Sequence, residues 1–466
     1  MSSRQLPQIK LNYTNCFSEY VGNQGINKAD LEGLSEKIRQ GSQVLLQKTQ
    51  AGSLGFAGLP EAEEQLAEIL KLAGKLRHKF DNLVVIGIGG SALGNIAVQQ
   101  ALRHPYWNLL SSRQRQGWLR IFVVDNIDPQ FLAGLKDVIN FRRTIFNVIS
   151  KAGGTTECLA NFFVLKEALS KTGKNYLSQI IVTTSEGRGW LREYVQKNKV
   201  VSLPVPENVG GRFSVFSAVG LLSAAAAGID LKKVLAGARL MNSRCQSADL
   251  WENPAALYAA LQYLFYRRGR NISVMMPYSN ALYGFSDWFR QLWAESLGKR
   301  LNDRGETVNV GPTPVKALGA TDQHSQLQLY MEGPQDKIIT FLSVKDFKVK
   351  VNLPAEGRKR VGAKGLGELI KAEESASRLA LTRNNRPNLT IYLPEISPFT
   401  VGQLFQMFEW AVAYAGALLE INAFDQPGVE LGKILTRQIL GCSENKEEQT
   451  KILDEISRTE QSPFTV

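Results

Sequence analysis

The sequence predicts an α/β protein built on parallel sheets with helices on both faces, and three observations carry that reading. From residue 83 onward, short apolar runs rich in β-branched residues alternate with helical stretches, the pattern of βαβ units. Several of these runs end in glycine-rich turns that open a helix, which is where such sheets hold their ligands. The chain has 466 residues, 44% of them hydrophobic and 21% charged, enough for two or more domains and a sizeable core.

Taken in order, residues 1–80 read as a helical covering segment, with 31–50 and 60–79 the clearest polar–apolar patterns. A first domain follows over 81–240, with strands expected at 83–88, 121–125, 145–149, 180–183 and 200–205. A helical stretch, 214–270, leads into a second domain over 241–440, with strands expected at 272–276, 307–310, 337–344 and 389–393. Between the first two of these lies 282–299, strongly amphipathic. Residues 347–383 are charged and carry glycine, and are expected as a surface excursion. Residues 399–422 read as a long buried helix, and 441–466 as a polar tail with no catalytic role.

Composition removes several function classes. No apolar run approaches the ~18 residues of a membrane span, and the small-residue stretch 221–228 is too short. Residues 1–10 lack the apolar core of a secretory signal. Cys16, Cys158, Cys245 and Cys442 are scattered, with no C-x-x-C pair, which fits a reducing cytoplasm. His78, His104 and His324 show no close Cys/His spacing, so no protein-built metal site is expected. The net charge of +12 is spread along the chain, apart from small clusters such as Arg358-Lys359-Arg360. With no nucleic-acid signature present, it reads as a solvated surface that steers an acidic small molecule.

The motifs stand just past the expected strand ends. Residues 147–157, N-V-I-S-K-A-G-G-T-T-E, run from strand into helix. Unpaired N–H groups and the helix dipole there favour an anion, and Gly153 and Gly154 allow close approach. Ser150, Thr155 and Thr156 add hydroxyls and Lys151 a charge. The same letters also suit an ordinary βα turn, with Thr155 or Thr156 capping the helix. Residues 87–94, G-I-G-G-S-A-L-G, fit a loose dinucleotide fingerprint, but the acidic residue expected about 20 positions on is missing. Arg212, behind Gly210 and Gly211, is costly to bury unless it meets an anion. It is either a structural ion pair or a substrate contact. Glu295 falls in the last turn of its helix, where the dipole disfavours a carboxylate. The plain alternative is a surface pair with Lys299 at i+4. His324, in a polar turn, means little by itself.

Together these segments resemble the phosphoglucose isomerase family. The resemblance rests on E-N-V-G-G-R-F-S-V-F-S-A-V-G (207–220) and F-D-Q-P-G-V-E-L-G-K (424–433), with G-I-G-G-S-A-L-G, S-K-A-G-G-T-T-E, W-A-E-S-L-G-K and the D-Q-H of 322–324. All six occur in the family's order, over about residues 80–435. The resemblance implies two sugar-isomerase (SIS-type) domains, each a three-layer αβα sandwich, in a homodimer with the active site near the subunit interface. It implies reversible isomerisation of glucose 6-phosphate and fructose 6-phosphate through a cis-enediol, with no cofactor or metal. By resemblance Glu295 shuttles the proton, Arg212 stabilises the enediolate, and His324 and Lys433 open the ring. That histidine is expected from the neighbouring subunit. Gly90, Ser91, Ser150, Lys151 and Thr155 are implied for the phosphate, and Gly211 and Gln426 for lesser contacts.

Ala152 and Gly154 depart from the pattern, since many members carry hydroxyls there. A lost hydrogen bond to a charged acceptor weakens substrate binding without changing the reaction. Two rival readings are a non-catalytic sugar-phosphate sensor, which has no need of Glu295, Arg212, His324 and Lys433 together, and an isomerase that also accepts mannose 6-phosphate.

Overall fold

The computed structural model describes residues 6–173, 175–442 and 446–460. The N-terminal covering layer holds the helices Ser35–Gln50 and Glu63–Arg77 where the amphipathic patterns predict them. It is not purely helical, however. Lys10–Asn12 forms strand β1, which joins the distant second sheet. Three residues are too few for a period-2 pattern to register.

The first sheet comprises β2 (Asn82–Ile86), β3 (Arg120–Val124), β4 (Thr144–Ile149), β5 (Ile180–Thr184) and β6 (Val201–Pro204). All five expected runs are present within a residue or two. The strands are parallel, in the order β3-β2-β4-β5-β6. The order therefore reverses between β2 and β4, and the loops leaving their carboxyl ends flank a topological switch point. Alternate residues point to opposite faces. Val84, Ile86, Phe146, Val148 and Val182 pack under the helices Pro129–Val138, Thr156–Ser170 and Trp190–Asn198. Leu83, Val85, Ile145, Ile149 and Ile181 face the main core. With both faces covered, the strands read as continuous apolar runs.

The second half adds β7 (Ile272–Pro277), β8 (Lys299–Leu301), β9 (Thr307–Val310), β10 (Thr313–Lys316), β11 (Lys337–Asp346) and β12 (Asn388–Glu395). The sheet order is β1-β12-β11-β7-β10, with β1 antiparallel at one edge and the other four strands parallel. Two expectations are corrected here. The run 307–310 does not enter the sheet. It is β9, paired with β8 in a separate antiparallel ribbon, half exposed along its length, while β10 takes the sheet position. Nor is 347–383 only a surface excursion. The helix Leu366–Arg383 buries Glu374, Ser377, Leu381 and Thr382 and makes the crossover that parallel neighbours β11 and β12 require. Its charged outer face hides this in the sequence.

Between the sheets lie the helices Ala218–Ala226, Leu231–Cys245, Pro254–Arg267, Tyr283–Leu297 and Pro398–Leu419. The last is buried almost throughout, as its apolar run predicts. It crosses Leu231–Cys245 so closely that a Cβ on Gly237 would lie 1.9 Å from the Phe399 carbonyl oxygen, and one on Gly402 would lie 2.0 Å from that of Val234. Within the polar tail, Lys446–Glu460 is a helix. Residues 443–445 and 461–466 of that tail, and residues 1–5 of the leader reading, lie outside the described residues. No helix among the described residues is long and apolar enough to cross a membrane.

Candidate active site

Arg212 leaves the loop after β6 and is buried, 2% exposed. Nε donates to Ser296 Oγ at 2.6 Å, Nη1 to Gln426 Oε1 at 2.9 Å, and Nη2 to the carbonyls of Ala423 (2.7 Å) and Asp425 (3.1 Å). Nη1 also lies 3.3 Å from Glu295 Oε1. Burial pulls the guanidinium below its usual pKa, and the charges of Glu295 and Asp425 oppose that shift. The buried arginine therefore has its anion, and that anion is the carboxylate at the end of the Tyr283–Leu297 helix.

The Glu295 side chain keeps 28% of its surface open and lines a cleft of about 530 Å³ with Gly89, Gln291, Ala294, Gln426 and Val429. Gln291 Nε2 donates to Glu295 Oε2 at 2.9 Å. The i+4 surface pair with Lys299 does not form. The Lys299 ammonium instead donates to the carbonyls of Glu295 (2.9 Å) and Ser296 (2.8 Å), because the terminal carbonyls of a helix lack partners of their own and attract cations. The carboxylate is left to Arg212 and Gln291.

The loop after β2 ends in the turn Gly89–Ser91, which brings Ser91 to the same strand ends. A Cβ on Gly90 would fall 2.3 Å from the Gly211 carbonyl oxygen and 2.6 Å from the Arg212 nitrogen. Glycine is therefore needed for this loop to touch the arginine loop. Gly211 itself has open space where a Cβ would stand. After β4, Ser150 Oγ and Thr155 Oγ1 lie 2.7 Å apart. Thr155 occupies the N-cap position of Thr156–Ser170, yet its side chain makes no capping bond. Its hydroxyl is turned toward Ser150, which leaves the first amides of the helix free. Lys151 Nζ donates to the Glu207 carbonyl at 2.6 Å, and partial burial pulls this lysine below its usual pKa. A smaller cavity of about 230 Å³ opens beside Lys151, Glu207, Asn208 and Gly210.

Two residues singled out by sequence stand apart. His324 is exposed on the short helix Thr321–Ser325, where Tyr278 Oη donates to neighbouring Gln323 at 2.9 Å. Lys433 is on the exposed helix Glu430–Ile439 and pairs with Glu430 at 2.7 Å. Neither lines the Glu295 cleft. The structure also adds one residue the sequence reading passed over and turns another inward. Gln291 lies one helical turn before Glu295, a spacing that was the available signal, and Lys299 turns inward rather than to solvent.

The fold and the cleft define a doubly wound α/β protein with a carboxylate–guanidinium pair beneath its strand-end loops. The chain belongs to the phosphoglucose isomerase family, whose model matches residues 65–459. It is 46% identical over 452 residues to the glucose-6-phosphate isomerase of Carboxydothermus hydrogenoformans, covering 96% of this chain and 97% of that one. It is 42% identical to the Rubrobacter xylanophilus enzyme of the same name, covering 90% of this chain and 95% of that one. Among solved structures, a hypothetical protein of Thermus thermophilus aligns with a TM-score of 0.82 and 34% identity, over 93% of this chain and 100% of that one. A glucose-6-phosphate isomerase from Chlamydia trachomatis shares the fold, with a TM-score of 0.82 and 23% identity over 97% of this chain and 92% of that one.

Proposed function

We propose that this chain interconverts glucose 6-phosphate and fructose 6-phosphate, as a cytoplasmic homodimer of two-domain subunits. The observation that carries the reading is a half-open carboxylate, Glu295, held 3.3 Å from the buried Arg212 guanidinium in a cleft at the strand ends, in a chain of this family.

The substrate phosphate is anchored at the switch point by Ser91, Ser150, Lys151 and Thr155, with the backbone of Gly90, Gly153 and Gly154. Free helix amides and hydroxyls suit a dianion there. His324 of one subunit and Lys433 open the sugar ring. Glu295 then takes the proton from C2, and the electrons left behind form the cis-enediolate. Arg212 stabilises its oxygen, an oxyanion role suited to a rigid, buried donor. Glu295 returns the proton to C1, the C2 hydroxyl proton passes to O1, and the carbonyl is completed at C2. Gln426 and the Gly211 backbone orient the intermediate. The dimer is supported by the exposed positions of His324 and Lys433, outside the cleft of their own chain. It is also supported by Leu431, Ile434 and Leu440, which are 65%, 53% and 63% exposed around Lys433. The free cysteines suit a reducing compartment.

The test is conversion of fructose 6-phosphate to glucose 6-phosphate by the purified chain, read by a coupled dehydrogenase. Glu295→Gln and mannose 6-phosphate are run alongside. Glu295→Gln should lower kcat about 10²–10⁴-fold while sugar-phosphate affinity persists. An active variant overturns the base assignment. A wild-type chain that binds sugar phosphate without turnover is a sensor.

A further inference from the structure

Beside Glu295 the chemistry above leaves a buried cation without a part. Lys299 follows the helix that bears Glu295, and its side chain is only 5% exposed. All three ammonium protons are committed, to the carbonyls of Glu295 (2.9 Å), Ser296 (2.8 Å) and Asp425 (3.0 Å), with the Asp425 carboxylate 3.6 Å away. These acceptors belong to two segments far apart in sequence, the last turn of Tyr283–Leu297 and the loop carrying Asp425 and Gln426. Arg212 joins the same two segments from the other side, through Ser296 Oγ, Ala423 O, Asp425 O and Gln426 Oε1.

Burying an ammonium is costly, and a helix end can be closed without one, most simply by a glycine C-cap. What an ammonium offers beyond closure is a compact hub of three donors pointing in different directions. Here that geometry is spent on tying two segments together beneath a carboxylate. We propose that Lys299 is a positioning residue, whose ammonium locks the helix end bearing Glu295 to the loop bearing Gln426. The carboxylate and Arg212 are thereby held at their working separation. The inference rests on reading Glu295 as the base.

The test compares Lys299→Met, which keeps the stem and removes the donors, with Lys299→Arg, which keeps the charge in a planar fork. Both are measured as full-length folded protein, with Glu295→Gln in parallel. Lys299→Met should lower kcat about 10²-fold, the scale of a 1 Å misplacement of a reacting group. Its KM for fructose 6-phosphate should stay within about threefold, because the interaction lost is one of placement rather than binding. Lys299→Arg should fall between. Amide hydrogen exchange should quicken at residues 423–429 in Lys299→Met, while β2 and β4 stay protected, a change that a general loss of stability would not confine to that loop. A folded Lys299→Met with kcat within about twofold of wild type overturns the proposal, as does a lost kcat with unchanged exchange at 423–429. Where Lys299→Met does not fold, Lys299→Arg decides, since wild-type rate and exchange in that variant overturn the proposal equally. Activity in Glu295→Gln sinks the base assignment, and the exchange result still reports on the lock.

Discussion

Glu409 offers a stability test that is independent of catalysis. It lies within the buried helix Pro398–Leu419 with no exposed surface, and neither carboxylate oxygen has a hydrogen-bond partner among the described residues. Desolvation therefore drives its pKa well above the ordinary 4.5, so burial favours the neutral acid. In the unfolded chain the same group titrates near its ordinary value. Between the two pKa values the folded state holds one more proton than the unfolded state. Stability then falls with rising pH by about 1.4 kcal/mol per unit. The contribution is whole below the unfolded pKa and is lost as pH rises through the folded one. Glu409→Gln cannot titrate, and whatever its amide costs is the same at every pH. As pH rises above the ordinary value of 4.5, the wild type should lose stability relative to this variant, with a slope of up to about 1.4 kcal/mol per pH unit. Guanidinium unfolding at fixed protein concentration, repeated at half-unit steps of pH, measures the difference. A stability gap between the two proteins that does not change with pH refutes the reasoning.

Three further variants test the site. Gly90→Ala sets a Cβ 2.3 Å from the Gly211 carbonyl oxygen and must push the arginine loop away. It should cost about 1–3 kcal/mol of stability and lower kcat/KM, and denaturant titration with steady-state kinetics checks both; an unchanged kcat/KM would detach this loop from the site. Thr155→Ala should raise KM about tenfold, as loss of a hydroxyl bond to a charged acceptor does. Gly154→Ser, placed where a Cβ meets open space, should lower KM by restoring a hydroxyl. Unchanged KM in both variants places the phosphate elsewhere.

The first sheet was legible because strands buried on both faces leave nearly unbroken apolar runs, as β2, β4 and β5 do. The second was less so, for reasons of surface rather than core. β1 is too short to show a period. β9 has the residue types of a strand but spends them on an exposed ribbon, and the helix Leu366–Arg383 carries its charges outward and only a narrow buried stripe inward. At the site, Arg212 and Glu295 could be singled out, because a buried arginine and a carboxylate at a helix end each call for a reason, while their roles came from the family resemblance. Their pairing could not, since it depends on a contact between residues 83 positions apart. Lys299 was misread for a related reason. Its i+4 spacing from Glu295 suggests a surface pair, whereas the unpartnered carbonyls beneath the helix end compete for the ammonium and win.

On the reading proposed above, the charges of the cleft account for phosphate binding and proton transfer drawing on different loops. Arg212 and Lys299 stand against Glu295 and Asp425, so the charges around Glu295 balance one another. A doubly charged phosphate placed among these groups would upset that balance and compete with Glu295 for the guanidinium. In the loop after β4 the charge of Glu207 acts on Lys151, but no ion pair between them forms among the described residues. There the Lys151 ammonium is held by a carbonyl oxygen rather than a carboxylate, and the helix beside it opens with uncapped amides. Its positive character is available to an anion. On the proposed reading the substrate phosphate therefore goes to the switch point between β2 and β4, while the Tyr283–Leu297 helix carries the charge-balanced Glu295 that pairs with Arg212.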